Sequence, residues 1–151
     1  MSNGTSSLVV SRAWWLMDHS PPVLIVEDDP FILRVEARVA LSLGLNPWLC
    51  ADMAEGLRLA AEGGWALVLL DLNLPDAYGQ PLLDAFLALP SLASTPVLCV
   101  SGDDGAVDWM PARVRARPGL GLLRKPFTRI ILEECMQAAV RGGMATGPRA
   151  R

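Results

Sequence analysis

The chain has 151 residues, of which 52% are hydrophobic and 19% are charged, and its formal net charge is -3. This length and hydrophobic content predict one globular domain with a substantial core, and exclude a second folded domain. The slightly acidic balance, with no basic stripe interleaved with aromatic residues, predicts no direct binding to nucleic acid.

The cysteines and the apolar segments exclude further classes of protein. Cys50, Cys99 and Cys135 are far apart and form no CxxC pair, which argues against a disulfide framework or a thiolate metal site. Apolar stretches such as residues 65–70 are far shorter than the roughly 20 residues of a membrane helix. Residues 1–11 lack the basic start of a signal peptide. We therefore expect a cytoplasmic protein with reduced thiols and no membrane contact.

Residues 1–21 form an N-terminal extension that begins polar and contains the apolar segment "AWWLM". We expect Trp14, Trp15 and Leu16 to pack on the domain or on a partner, and we interpret the single histidine, His19, as a solvated linker residue.

Residues 22–141 alternate between short apolar segments and amphipathic segments. The apolar segments predict five strands, at residues 23–26, 47–50, 66–70, 96–100 and 121–124. The amphipathic segments predict five helices, at residues 31–43, 53–62, 81–89, 106–115 and 129–140. This strict alternation predicts an α/β fold with a doubly wound five-stranded parallel sheet and right-handed crossovers. Residues 142–151 are rich in Gly and Arg and predict a flexible C-terminal tail.

Acidic side chains follow two of the predicted strands. Glu27, Asp28 and Asp29 follow the first strand, and Asp71 follows the third. In open α/β sheets the functional crevice lies beyond the carboxyl ends of the strands. Glu27, Asp28 and Asp71 therefore predict a pocket of hard oxygen ligands that suits Mg²⁺. We interpret Asp29, which precedes Pro30, as the N-cap of the first helix and not as a ligand.

Two further polar side chains complete the predicted site. Ser101 follows the fourth strand, and Lys125, the only lysine of the chain, follows the fifth. A carboxylate beside a metal ion and a lysine is a competent nucleophile toward phosphorus, which favours Asp71 as the phosphoacceptor. Lys125 and Mg²⁺ would neutralise charge on the phosphoryl group, and the hydroxyl of Ser101 would donate to one of its oxygens.

Four segments in this order resemble the receiver domain of bacterial two-component response regulators. They are "VEDD", "DLNLPDAYG", "VSG" and "KPF", which begin at residues 26, 71, 100 and 125. The resemblance covers about residues 22–141. It implies a flavodoxin-like fold with strand order 2-1-3-4-5 and Mg²⁺ as the cofactor.

The resemblance also implies a role for each site residue and a cis bond between Lys125 and Pro126. The implied roles are phosphoacceptor for Asp71, metal ligands for Glu27, Asp28, Asp71 and the backbone carbonyl of Asn73, switch hydroxyl for Ser101, and phosphate-binding lysine for Lys125. The chain departs from the family at Leu122, where an aromatic residue is usual.

Three classes of function remain open. The first is a stand-alone response regulator that takes a phosphoryl group from a sensor histidine kinase or phosphotransfer protein and signals through contacts with a downstream protein target. Such a protein is a phosphoacceptor with at most autophosphatase activity, and it is either a monomer or a homodimer. The second is a receiver-like binding module that works without phosphorylation, which Leu122 favours. The third is a phosphatase that resembles the haloacid dehalogenases, which Asn73 argues against because those enzymes carry an acid there.

Overall fold

The computed structural model describes residues 20–103 and 105–142. The interpretations of Trp14, Trp15, Leu16 and His19 lie outside these described residues, and so does the predicted tail of residues 142–151 except for Gly142.

Five parallel strands form one sheet in the order β2-β1-β3-β4-β5. The strands are β1 (Pro22–Val26), β2 (Asn46–Cys50), β3 (Leu67–Asp71), β4 (Val97–Ser101) and β5 (Leu120–Arg124). The three central strands are almost completely buried, because helices cover both faces of the sheet and each strand is apolar on both of its sides. The predicted flavodoxin-like, doubly wound α/β fold is confirmed.

The described part of the chain also contains five helices and one short 3₁₀ turn; four of the helices connect strands, and the fifth follows β5. The helices are α1 (Pro30–Ser42), α2 (Met53–Ala60), α3 (Gly79–Leu87), α4 (Ala106–Ala116) and α5 (Arg129–Val140), and the 3₁₀ turn is Pro90–Leu92. One core cluster lies between the sheet and α2, α3 and α4, and includes Phe86 and Met110. A second cluster lies between the other face and α1 and α5, and includes Val39 and Met136.

The helices differ in how their first turns are held. The carboxylate of Asp29 accepts a hydrogen bond of 2.9 Å from the backbone N–H of Phe31, which confirms Asp29 as the N-cap ahead of Pro30. Asp52 and Thr128 cap α2 and α5 in the same way. In contrast, Tyr78 and Gly105, the N-cap residues of α3 and α4, provide no side-chain cap.

The ends of the elements differ from the predicted ends by one or two residues. Asp71 and Ser101 are the last residues of β3 and β4 and not the first residues beyond them. Each is aligned with a residue of the neighbouring strand, Asp71 with Val100 and Ser101 with Arg124. The sheet therefore holds the backbone of both residues in place.

The three cysteines are buried and unpaired, as the sequence predicted. Burial raises the pKa of the Cys99 thiol to about 12, so this thiol stays protonated at neutral pH. None of the helices in residues 20–103 and 105–142 is long and apolar enough to cross a membrane.

We predict that Gly56→Ala destabilises the protein. This is the opposite of the usual effect, because alanine in a helix interior is normally more stable than glycine by about 0.5–1 kcal/mol. A Cβ atom at position 56 would lie 2.9 Å from Cζ of Phe86 and 3.1 Å from both Cγ atoms of Val26. Overpacking of this kind costs about 1–3 kcal/mol. The free energy of unfolding, measured by urea denaturation, should fall by about 1–2 kcal/mol. A matched double variant, Gly56→Ala with Phe86→Leu, should lose less than the sum of the two single variants, and strict additivity would contradict the close contact.

Candidate functional site

Three carboxylates meet where β1 and β3 end. Glu27 and Asp28 directly follow β1, and Asp71 ends β3. These three residues each offer a carboxylate oxygen, and the three oxygens lie within 4.8 Å of one another. Glu27 and Asp71 are buried, with 1% and 3% of their surface exposed, whereas Asp28 is exposed. The acidic cluster therefore has two buried members and one member that faces solvent.

The ammonium of Lys125 lies against the two buried carboxylates. Its Nζ atom is 3.0 Å from Oδ2 of Asp71 and 3.3 Å from both carboxylate oxygens of Glu27. The Lys125 side chain is 21% exposed, so water has little access to these ion pairs. The bond between Lys125 and Pro126 is cis, as the resemblance implied.

The electrostatics of the site follow from this geometry. Burial, together with the hydrogen bonding and charge of Asp71, raises the pKa of Glu27 to about 8, although Lys125 opposes the shift. Burial alone would lower the pKa of Lys125, but Asp71 and Glu27 outweigh it and hold this pKa above its usual value. When all three carboxylates are ionised, the cluster has three negative charges and one positive charge. It therefore attracts a further cation.

The donor set of the cluster fits Mg²⁺. This ion takes oxygen ligands at about 2.0–2.1 Å in octahedral geometry, so that opposite ligands lie about 4 Å apart. The carboxylate oxygens of Glu27, Asp28 and Asp71, which lie within 4.8 Å of one another, are therefore close enough to converge on one ion. The N–H of Asn73 donates to Oδ1 of Asp71 at 3.0 Å, which fixes the backbone of Asn73 beside the cluster. The role of its carbonyl as a ligand stays a prediction.

Ser101 ends β4, the strand next to β3, and lines a cleft of about 160 Å³. Its Oγ atom accepts a hydrogen bond of 3.0 Å from the backbone N–H of Asp103. The residues that line the cleft are Leu72, Asn73, Tyr78, Gly79, Ser101, Asp103, Ala106 and Trp109. Tyr78 and Trp109 were not predicted to be part of the site. Tyr78 precedes a helix in a loop, and Trp109 has the spacing of an ordinary residue in an amphipathic helix.

Glu36, a buried acid on α1, was also not predicted to lie near the site. Glu36 is 1% exposed, and its Oε1 atom has no hydrogen-bond partner among the described residues. Burial, with a smaller contribution from the charge of Glu27, raises the pKa of Glu36 to about 9. Its position in the sequence could have indicated burial. Glu36 lies four residues after Ile32 and four before Ala40, which places it on the apolar side of the helix.

Comparisons with known proteins agree with this fold. No protein-family model matches the chain. The transcriptional regulatory protein YcbL of Bacillus subtilis is 32% identical over 123 residues, which cover 78% of this chain and 50% of that protein. The cell cycle response regulator CtrA of Brucella abortus is 33% identical over 124 residues, which cover 79% and 50%. The chain thus spans about half the length of these relatives.

Solved structures give the same result. A CheY-like response regulator receiver domain from Methylobacillus flagellatus superposes with a TM-score of 0.67 at 25% identity, and covers 80% of this chain and 98% of that one. The receiver domain of a sensor histidine kinase from Pseudomonas aeruginosa, which has a magnesium ion in its active-site cleft, gives a TM-score of 0.67 at 24% identity and covers 81% and 98%.

The sheet order and the similar structures place the chain among the CheY-like, flavodoxin-like α/β domains. With the curated relatives, they show that it belongs to the response regulator receiver domains of two-component systems.

We predict that Mg²⁺ stabilises the protein against thermal unfolding and that Asp28→Asn removes more than half of this effect. A ligand that binds only the folded state at 100 times its Kd adds about 2.7 kcal/mol. Asp28 is the exposed member of the cluster, so its replacement weakens the cation site without leaving a buried charge unpaired. Thermal unfolding with and without MgCl₂ measures the effect. Asp108→Asn, which changes an exposed acid on α4, is the matched control and should keep the full stabilisation; equal losses in both variants would contradict the assignment.

We also predict that Glu36 makes stability depend on pH. In the unfolded chain this carboxyl ionises near its ordinary pKa of about 4.3, whereas in the folded protein it keeps its proton until about pH 9. Between these values the folded state binds more protons than the unfolded state, so the free energy of unfolding falls as the pH rises, by at most about 1.4 kcal/mol per unit.

Because glutamine cannot ionise, the free energy of unfolding of Glu36→Gln should fall less steeply than that of the wild type between about pH 5 and pH 8. Urea denaturation at several pH values measures the slopes. Glu134→Gln, an exposed change on α5, should give a curve parallel to the wild type. A parallel curve for Glu36→Gln would show that Glu36 is already ionised in the folded protein.

Proposed function

We propose that Asp71 accepts a phosphoryl group from a phosphohistidine of a sensor histidine kinase or phosphotransfer protein. The observation that carries this proposal is the position of the Asp71 carboxylate, 3.0 Å from the only lysine of the chain and in one cluster with Glu27 and Asp28. In the reaction, a carboxylate oxygen of Asp71 attacks phosphorus while the bond from phosphorus to the imidazole nitrogen breaks. The electron pair of that bond stays on the imidazole, and the product is an acyl phosphate.

Each neighbouring residue has a proposed part in this step. Glu27, Asp28, Asp71 and the backbone carbonyl of Asn73 would hold Mg²⁺. The bound ion would neutralise charge on the phosphoryl oxygens. Lys125 pairs with the oxygens of the transferred group as a compact point charge, and the hydroxyl of Ser101 donates a hydrogen bond to one of them. The magnesium ion in the similar receiver domain from Pseudomonas aeruginosa supports this arrangement.

We further propose that the protein acts as a stand-alone regulator whose phosphorylated form signals by protein contacts. On this view it binds a downstream protein target and does not itself contact nucleic acid, which the net charge of -3 supports. Turnover is limited to loss of the phosphoryl group to water, so the protein is a phosphoacceptor with at most autophosphatase activity. Size-exclusion chromatography of wild type and Asp71→Asn, each treated with acetyl phosphate, distinguishes a monomeric from a homodimeric phosphorylated form.

We predict that acetyl phosphate with MgCl₂ adds one phosphoryl group to the wild type and none to Asp71→Asn, as measured by intact-protein mass spectrometry. Hydroxylamine should remove the added group, because acyl phosphates are reactive toward it. Asp29→Asn is a matched control, since asparagine keeps the capping function at this neighbouring acid, and it should be labelled like the wild type. Label retained in Asp71→Asn would identify another acceptor, and an unlabelled wild type would favour a binding module that works without phosphorylation.

A further inference from the structure

Two tryptophans form an exposed aromatic patch on the face of the sheet that α2 covers. Trp48 of β2 and Trp65, shortly before β3, pack edge to face with ring centroids 6.0 Å apart; we call this pair the tryptophan patch. Trp65 is fixed in place, because its Nε1 atom donates a hydrogen bond of 3.0 Å to the backbone oxygen of Leu59 on α2. Trp48 keeps 49% of its surface exposed. The patch therefore presents a rigid apolar surface to solvent.

The patch borders an open edge of the sheet. In the described part of the chain, β2 is an outermost strand and pairs with β1. The N–H of Asn46 and the backbone oxygen of Cys50 bond toward β1 and its flanking residues. Because these groups alternate along a strand, the backbone of Leu49 points away from β1. Proteins usually cover or blunt such an edge, since it otherwise pairs with other chains.

The residues that precede β1 lie beside the patch. The backbone oxygen of Pro21 accepts from the N–H of Asn46 at 2.8 Å, and that of Pro22 accepts from the N–H of Ala66 at 2.9 Å. Asn46 lies two residues before the first tryptophan of the patch, about 7 Å along the strand, and Ala66 directly follows the second. The N-terminal extension therefore joins the domain between the starts of β2 and β3, next to both rings.

The extension contains an apolar segment of matching character. Residues 13–17 read "AWWLM", and Trp15 lies six residues before Pro21. A chain of that length spans up to about 20 Å when extended, so the indoles of the segment can reach the patch. Aromatic rings pack on one another edge to face or with an offset, and the half-exposed ring of Trp48 leaves room for such a contact.

Other exposed aromatic side chains lie at the opposite end of the strands. Phe31 and Tyr78, which are 72% and 74% exposed, follow the carboxyl ends of β1 and β3. A strand of five residues separates that end from the starts of the strands by about 17 Å. The tryptophan patch is therefore the exposed aromatic surface that residues 13–17 reach first.

Charge beside the patch also complements the extension. Glu62 lies three residues before Trp65, and its side chain is 62% exposed and 3.7 Å from the nearest nitrogen of Arg58. Arg12 directly precedes residues 13–17. A segment that covers the patch thus carries a cation toward an acid that is only loosely paired, which favours this site over a neutral one.

We propose that residues 13–17 fold back on their own chain and cover the tryptophan patch, with an indole of the segment packed on Trp48. The segment is tethered within reach of the patch, and this tether gives it a high effective concentration that a second copy or another protein lacks. The docked segment also lies beside the open edge of β2. Because the patch is at the starts of the strands and Asp71 is at the end of β3, the docking does not depend on phosphoryl transfer.

The docking is tested by fluorine NMR of the full chain labelled with fluorotryptophan. Single Trp→Phe replacements assign the signals of the five tryptophans, and the difference in shift between H₂O and D₂O measures the exposure of each ring. Trp14→Ala combined with Trp15→Ala should increase this solvent isotope shift for Trp48 by more than half, because the ring loses its cover. The signal of Trp109, which lines the cleft, should stay unchanged.

A matched variant controls for general effects of the extension. Leu8→Ala combined with Val9→Ala removes two apolar side chains outside residues 13–17 and should leave the signals of Trp48 and Trp65 as they are in the wild type. An unchanged Trp48 signal in the double tryptophan variant, or an equal change in this control, would overturn the proposal.

The reciprocal variant and dilution identify the occupant. Trp48→Leu should increase the solvent isotope shifts of Trp14 and Trp15, and dilution of the wild type should change none of the shifts. Protection of Trp48 that is lost on dilution, together with a dimer in size-exclusion chromatography, would assign the patch to a second copy and contradict docking within one chain. The variants in the extension leave the domain intact, so they decide the question even if Trp48→Leu does not fold.

Discussion

The site depends on one lysine whose ammonium contacts two buried carboxylates from distant parts of the chain. Glu27, Asp71 and Lys125 come from three different strand ends, and the ammonium contacts both carboxylates within 3.3 Å. Loss of one partner from a buried ion pair typically costs about 3–5 kcal/mol, because it leaves a charge without compensation. The same arrangement leaves the acidic cluster short of positive charge. The same three residues therefore hold the strand ends together and, when ionised, leave a net negative charge that favours a cation.

The fold was predictable from the sequence because two signals agreed. Short apolar segments alternate with amphipathic segments, and the motifs at the segment ends gave the strand order through the resemblance. The least accurately predicted helix was α3, which spans Gly79–Leu87 and not residues 81–89. Gly79 was predicted to belong to the preceding loop, because glycine is common in turns. Its φ angle of +68° is indeed a turn conformation, although the helix begins at this residue. The helix also ends earlier than predicted because Pro90 begins a separate 3₁₀ turn, and a residue before proline disfavours the helical conformation.

The candidate site was predictable in membership but not in its contacts. The rule that strand ends share one edge placed Asp71 and Lys125 together, although 54 residues separate them. No rule of spacing showed that Lys125 also contacts Glu27, that Ser101 is held by Asp103, or that Trp109 lines the cleft. These features depend on side-chain direction and loop conformation. Glu36 was missed for a different reason: the helix was identified from its apolar residues, and the acid among them was not weighed.

The helix caps divide the molecule into two regions of unequal local stability. The helices with side-chain caps, α1, α2 and α5, have Asp29, Asp52 and Thr128 at their first turns. The two helices that border the cleft have none, and α4 also contains Pro111, which removes one hydrogen bond from its interior. Local opening, as amide hydrogen exchange would detect it, should therefore be concentrated in α3 and α4. The segments expected to open most readily thus border the cleft beside Asp71, whereas α1 and α5, whose first turns are capped, lie on the opposite face of the sheet.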